Sequence, residues 1–247
     1  MKTEQLRKKK KRRKKRYLLK FFILVLLVIA AYQFLNSSIF DITKLTVENN
    51  NHYTKQQIIS IANAKTGENI FKISTVELRD KLLNDPYIKS AKISRKLPDQ
   101  VVLTAAERKE EAAVIYGNSY ILIDLDGMVL RRTDAEPPLP LLVGMTLTSI
   151  EPGTPLEVEE NATLTDSLKL LKQMGNHDIY FKKIEVSPVI IKAYIYDNLT
   201  CQGTPESIIE NMDYLQEVLY DLYVQGIERG VIKVGTDGYF SFNPLVE

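Results

Sequence analysis

Apolar and polar residues divide the chain into one unbroken apolar block and a long series of short patterned segments. No charged residue occurs from Phe21 to Phe40, a run of about 20 residues, which is the length a helix needs to cross a hydrocarbon core of roughly 30 Å. Leu, Ile, Phe and Val fill eleven of the positions between Phe21 and Leu35 and favour insertion by about −3 to −7 kcal/mol, against a single polar Gln33. The pattern predicts a membrane-spanning helix over 21–39. A cleaved signal would have a shorter apolar core and a small-x-small site, whereas here Tyr32-Gln-Phe-Leu35 follows Ala30-Ala31. An anchor is therefore expected.

Beyond Asp41 the period shortens. Ile42, Leu45 and Val47 mark a strand that ends in Asn49-Asn-Asn51, residues suited to turns. Thr54 with Gln57 makes a capping box for a helix with an Ile58, Ile59, Ile61, Ala62 stripe, which Gly67 is expected to stop. Ser74 with Glu77 opens a second helix through Val76, Leu78, Leu82 and Leu83, broken at Asp85-Pro86. Two alternating segments follow, Tyr87 to Arg95 and Val101 to Ala105, joined by a turn at Leu97-Pro-Asp99. The predicted order is strand, helix, helix, strand, strand.

The remainder reads as mostly strands. Ala113–Ile115 and Tyr120–Ile123 pair across Tyr116-Gly-Asn118, Asp126-Gly127 turns the chain into Met128–Leu130, and Pro137-Pro-Leu-Pro140 forces an extended segment. Leu164, Leu168, Leu171 and Met174 predict a helix closed by Gly175-Asn176. Strands at 180–186 and 189–196 precede an N-cap at Thr204 with Pro205 at the first helical position. One long helix is expected from there, with Ile208, Ile209, Met212, Leu215, Leu219 and Leu222 on its apolar face and Gly226 at its end. The last elements are a strand at 231–234, a turn at Thr236-Asp-Gly238, and the aromatic segment 239–242. The fold class is α+β, with an N-terminal transmembrane helix, a small βααββ domain and a β-rich domain with two helices.

Charge refines this picture. Ten consecutive Lys and Arg residues, Arg7 to Arg16, stand just before the apolar block, and basic residues beside a spanning helix stay on the cytoplasmic side. The N-terminus is thus expected inside, with everything after residue 40 extracytoplasmic. Residues 1–16 hold 11 of the 33 basic residues and one of the 31 acidic ones, which leaves a body of 22 against 30, net −8. Phosphate would repel such a body, so no nucleic-acid partner is expected. The basic run is read as a topology signal with added attraction to anionic lipid of about 1 kcal/mol per residue. A single cysteine, Cys201, permits no intrachain disulfide, which favours a bacterial cell-surface protein over a secreted eukaryotic one.

The segments FDITKLTVENNNHYT, GENIF and DPYIKSAKISRKLPDQVVLTAAER, in this order behind such an anchor, resemble the POTRA domain of the FtsQ/DivIB family of bitopic bacterial division proteins. The resemblance rests on Phe40, Val47, Gly67-Glu-Asn-Ile70, Pro86-Tyr-Ile88, Ala91, Arg95, Leu97-Pro98 and Glu107-Arg108. It continues more loosely in Asp124-x-x-Gly127 and in Leu139-Pro-Leu-Leu-Val-Gly144. It implies a non-enzymatic divisome scaffold at the septum, divided as 1–20 basic tail, 21–39 anchor, 40–108 POTRA-like domain and 109–247 β-rich domain. It also implies partners of the FtsB/DivIC and FtsL type, bound through the last strands at Val234, Gly235, Asp237, Gly238, Tyr239, Phe240 and Phe242. Ile232 and Lys233 depart from the Asp and Arg that many relatives carry there. The alternative function is a membrane-anchored POTRA chaperone for extended polypeptides.

One motif points to an enzyme. Tyr-Ile-Leu-Ile-Asp124-Leu-Asp126-Gly127 is similar to the first motif of haloacid-dehalogenase phosphatases, in which the first Asp attacks phosphate. Met128 stands where that motif carries Thr, and no later Lys and Asp pair offers a magnesium site, so a hairpin turn is the expected role. His52 and His177 lie in no metal-ligand pattern, and no cofactor is expected.

Overall fold

The computed structural model describes residues 2–245, with side chains from Tyr17 onward. The chain forms two compact units, one of residues up to 82 with 90–105, the other of 83–89 with 106 onward.

The first unit begins with α1 (Lys2–Leu35), in which Tyr17–Leu35 is apolar, wholly unburied and long enough to cross a membrane. The helix stops at Leu35, short of Phe40, and a 3-10 turn takes up Ser38–Phe40. The side chains of the basic run Arg7 to Arg16, and any lipid contact of theirs, lie outside the described residues. The helix end is tied down: Asn69, buried, donates from Nδ2 to the Leu35 carbonyl at 2.9 Å and accepts from the Phe71 N–H at 3.0 Å. Phe40 stacks between Phe34 and Phe71 at 5.3 and 5.1 Å.

β1 (Lys44–Glu48), α2 (Lys55–Ala62), α3 (Thr75–Leu83), β2 (Ile88–Lys96) and β3 (Gln100–Glu107) follow in the expected order. Their sheet runs β1-β3-β2, with β1 and β3 parallel. The capping box at Thr54 and Gln57 is present in both directions. α2 ends at Asn63 and not at Gly67, because Asn63 takes the left-handed conformation (φ 52°) that asparagine tolerates and its N–H closes on the last turn. Ile58, Ala62, Ile70, Leu82, Val101 and Leu103 form the buried interior.

The second unit is built on a nine-stranded sheet. Its strands are β4 (Ala112–Tyr116), β5 (Ser119–Ile123), β6 (Val129–Thr133), β7 (Leu141–Val143), β10 (Lys183–Glu185), β11 (Ile191–Tyr194), β12 (Leu199–Gly203), β13 (Gly230–Val234) and β14 (Phe240–Asn243). A separate small ribbon pairs β8 (Leu147–Ser149) with β9 (Glu157–Val158). The sheet order is β14-β13-β12-β11-β10-β7-β4-β5-β6. The helices α4 (Asn161–Asn176), α5 (Pro205–Glu210) and α6 (Met212–Val224) pack with the sheet through one core that includes Phe181, Ile184, Leu142, Leu170, Ile208, Leu215 and Ile232. This arrangement is α+β.

This unit also departs from expectation, with three helices among its described residues in place of two and a β8–β9 ribbon that the pattern did not suggest. The helix after Pro205 breaks at Asn211 (φ −113°, ψ 27°), whose side chain donates to the Ser207 carbonyl at 2.8 Å and competes with the helical ladder. The Pro-flanked segment at 141–143 is a central strand, parallel to both β4 and β10. Buried strands lack the alternation that marks half-exposed ones. Cys201, in the middle of β12, is buried, and burial pushes its thiol up to about 12.

Tyr87, buried at the start of β2, donates its hydroxyl to Glu110 at 2.5 Å, and Glu110 also accepts from Arg131 at 2.7 Å. Burial, then the neighbouring Glu110 carboxylate, pushes the phenol up to about 12. Its folded pKa lies above the unfolded value near 10, so its contribution is intact below about pH 10 and lost as pH rises toward 12. We expect chemical denaturation of the solubilised chain to show a loss of about 1–2 kcal/mol across that window, and Tyr87→Phe to flatten this part of the profile.

Candidate partner-binding edge

A nine-stranded open sheet has two outer strands, each with a row of backbone N–H and C=O groups facing away from its neighbour. On β6 the chain covers the beginning of that row itself. The Val129 N–H donates to the Thr154 carbonyl at 2.9 Å, the Gly153 N–H to the Val129 carbonyl at 2.8 Å, and Met128 bridges to Pro155.

On β14, no further strand follows among the described residues. Its direction of display follows from the register. Val234 opposes Phe240 and Ile232 opposes Phe242, while the Gly235 N–H donates to the Tyr239 carbonyl at 2.8 Å. Hydrogen-bonded pairs alternate along an antiparallel ladder, so Ser241 and Asn243 bond inward to Lys233 and Val231. The N–H and C=O of Phe240 and Phe242 then face outward. The next position of the same parity, Pro244, has no N–H to offer.

The seven residues singled out in the sequence all lie on this hairpin, but in different roles. Val234 is buried at the end of β13. The Gly238 N–H donates to the Gly235 carbonyl at 3.1 Å, and Gly238 sits at φ +78°, where a side chain is strained. Asp237 Oδ1 accepts from the Tyr239 N–H at 3.2 Å and steadies the turn. Tyr239 is 78% exposed. The Phe240 and Phe242 side chains turn inward against the large core. Phe240 meets Tyr214 edge to face at 4.7 Å. Phe242 covers Gly230, where an added Cβ would lie 2.4 Å from the ring and φ is +150°. Thus Tyr239 presents its side chain, whereas the two phenylalanines present backbone. Ile232 is fully buried and Lys233 exposed; an Asp at 232 would put a carboxylate in the core.

Asp124 and Asp126 have structural partners. Asp124 is buried, its Oδ1 accepts the N–H groups of Asp126 (2.9 Å) and Met128 (2.8 Å), and its Oδ2 meets Arg108 Nη1 at 2.5 Å. Asp126 lies 2.6 Å from Lys89 Nζ and 3.3 Å from Arg108. The hydrogen bond from Lys89 holds its carboxyl below the usual range. The Asp124 carboxylate thus shapes the β5–β6 turn, the hairpin role expected for Asp126-Gly127, while the Asp126 carboxylate pairs with Lys89 and Arg108. Among the described residues no group of three or more His, Cys, Asp or Glu side chains could hold a metal ion. His177 bonds to the Gln173 carbonyl and lies 3.3 Å from Asp213.

Comparison with known proteins shows what the chain is similar to. Residues 40–108 match the family profile described as the POTRA domain, FtsQ-type. Cell division protein DivIB of Clostridium acetobutylicum is 27% identical over 188 residues, covering 73% of this chain and 74% of its own length. Cell division protein FtsQ of Syntrophotalea carbinolica is 26% identical over 153 residues, 61% of this chain and 53% of that protein. Residues 40–108 thus match an FtsQ-type POTRA domain, and the chain is similar to proteins named FtsQ and DivIB. Among solved structures, the major extracytoplasmic domain of DivIB from Geobacillus stearothermophilus is similar at TM-score 0.35 and 14% identity, over 48% of this chain and 97% of that one. The relatives it matches over these lengths are named as cell division proteins.

The side chains of Arg108 and Asp124 are only 12% and 7% accessible. Removing one partner of such a pair leaves an uncompensated buried charge, at a cost of about 3 kcal/mol. Urea unfolding should show that loss in Arg108→Met. The double variant Arg108→Met, Asp124→Asn should recover at least ~1 kcal/mol of it.

Proposed function

We propose that the chain is a non-enzymatic, single-pass scaffold of the bacterial divisome that binds bitopic division proteins of the FtsB/DivIC and FtsL type by accepting a strand on β14. The observation that carries this reading is the outward row of Phe240 and Phe242 N–H and C=O groups, with no strand beyond it among the described residues. An extended segment added there would gain main-chain hydrogen bonds, while side-chain contacts with the hairpin would supply selectivity. Val234, Gly235, Asp237 and Gly238 then shape the hairpin, Tyr239 offers exposed contact area, and Phe240 and Phe242 hold the strand on the core.

In this reading residues 1–20 are cytoplasmic, 21–39 cross the bilayer, and 40–108 and 109–247 form the POTRA and β domains outside. The basic residues Arg7 to Arg16 set this orientation and contact anionic lipid. The septum is the place of action.

A pair of substitutions separates backbone from side chain. Phe242→Pro removes the outward N–H at a position where an edge strand tolerates proline, while Phe242→Leu keeps both the donor and an apolar side chain. Both variants should fold, as read by thermal unfolding. Co-purification of the bitopic partners from dividing cells should be lost with Pro and kept with Leu. Equal recovery with the two variants would remove the edge from the interface.

A further inference from the structure

A second surface of the same unit has a different chemistry. Tyr180 and Tyr196, beside the ends of β10 and β11, and Tyr220 and Tyr223 on α6 line an open groove of about 600 Å³ floored by Ile195 and Leu219. The four rings are 43% to 71% exposed. α6 already buries Met212, Leu215 and Leu222, so the outer tyrosines are not needed to seat it.

The charges that line the groove, Asp178 and Glu217, have one sign. α6 carries Asp213, Glu217 and Asp221 at successive intervals of four, and no Lys or Arg. Residues spaced by four line up along a helix, and like charges so placed disfavour the helix that carries them. Asp178 adds a carboxylate to the groove, and no Lys or Arg lines it.

We propose that this groove docks a helical segment of a partner protein that carries Lys or Arg at i and i+4 beside an apolar or aromatic face. The acidic stripe pairs with the cations, the tyrosine faces hold ammonium or guanidinium groups, and the apolar side covers Ile195 and Leu219. Charge selects this occupant. Anionic lipid is repelled by the stripe, and a second copy presents the same acidic body. The chain's own basic run precedes the anchor and, in the proposed topology, lies across the bilayer. None of the groove residues belongs to β13 or β14, so the site stands apart from strand addition.

The chain contains no tryptophan, which allows a direct test. The probe is a synthetic amphipathic helix of about four turns, with Leu on one face, Lys at i, i+4 spacing and a single Trp, added to the full chain in zwitterionic nanodiscs. We expect a saturable blue shift of Trp emission. The shift should weaken about tenfold in Glu217→Lys, Asp221→Lys, weaken similarly in Tyr220→Ser, Tyr223→Ser, and persist in Phe242→Pro. A peptide with Glu in place of Lys should not bind. The proposal is overturned if the charge-reversed chain binds equally, if the Glu peptide binds equally, if empty nanodiscs give the same shift, or if Phe242→Pro alone abolishes it.

Discussion

An open sheet cannot satisfy the outer row of its last strand from within, and this constraint governs the second unit. Nine strands share one ladder, so both ends must be covered, shortened or left for another chain. The chain treats them differently. The segment 153–155 folds back over the first residues of β6, whereas β14 is kept short and closed by Pro244 without being covered among the described residues. The proposed strand addition draws on that asymmetry.

In the proposed reading, packing and binding share residues of this hairpin without conflict. Phe240 and Phe242 spend their rings on Tyr214 and Gly230, and the ladder parity leaves their peptide groups outside. A residue in this position is structural through its side chain and available through its backbone. In the proposed reading the aromatic segment therefore serves both as core packing and as interface.

Much of this fold was legible in the chain because local signals agreed with the tertiary outcome. The capping box at Thr54, the N-cap and proline at Thr204-Pro205 and the Asp126-Gly127 turn each appear where the residues suggest. What escaped was set by partners that the local pattern does not reveal. β7 is a strand because β4 and β10 flank it, and its two buried residues and half-buried Val143 carry no period. The break at Asn211 depends on one side chain reaching the Ser207 carbonyl. The terminal hairpin stood out as a candidate site from its resemblance to a family, but which groups it exposes required the pairing register. The tyrosine groove had no signal at all, since its four rings are scattered over more than forty residues and meet only when α6 lies beside the ends of β10 and β11.

Asn69 at the foot of α1 has a mechanical meaning. Its amide holds the final carbonyl of the long helix while Phe40 is clasped between Phe34 and Phe71, so there is no slack tether between the apolar helix and the domain that follows. A hinge at this point would let the domain swivel freely, whereas a clamp makes helix and domain one lever. In the proposed topology, a tilt or pull imposed on the helix from the cytoplasm would be delivered directly to the first domain as torque, in place of being absorbed by a slack joint.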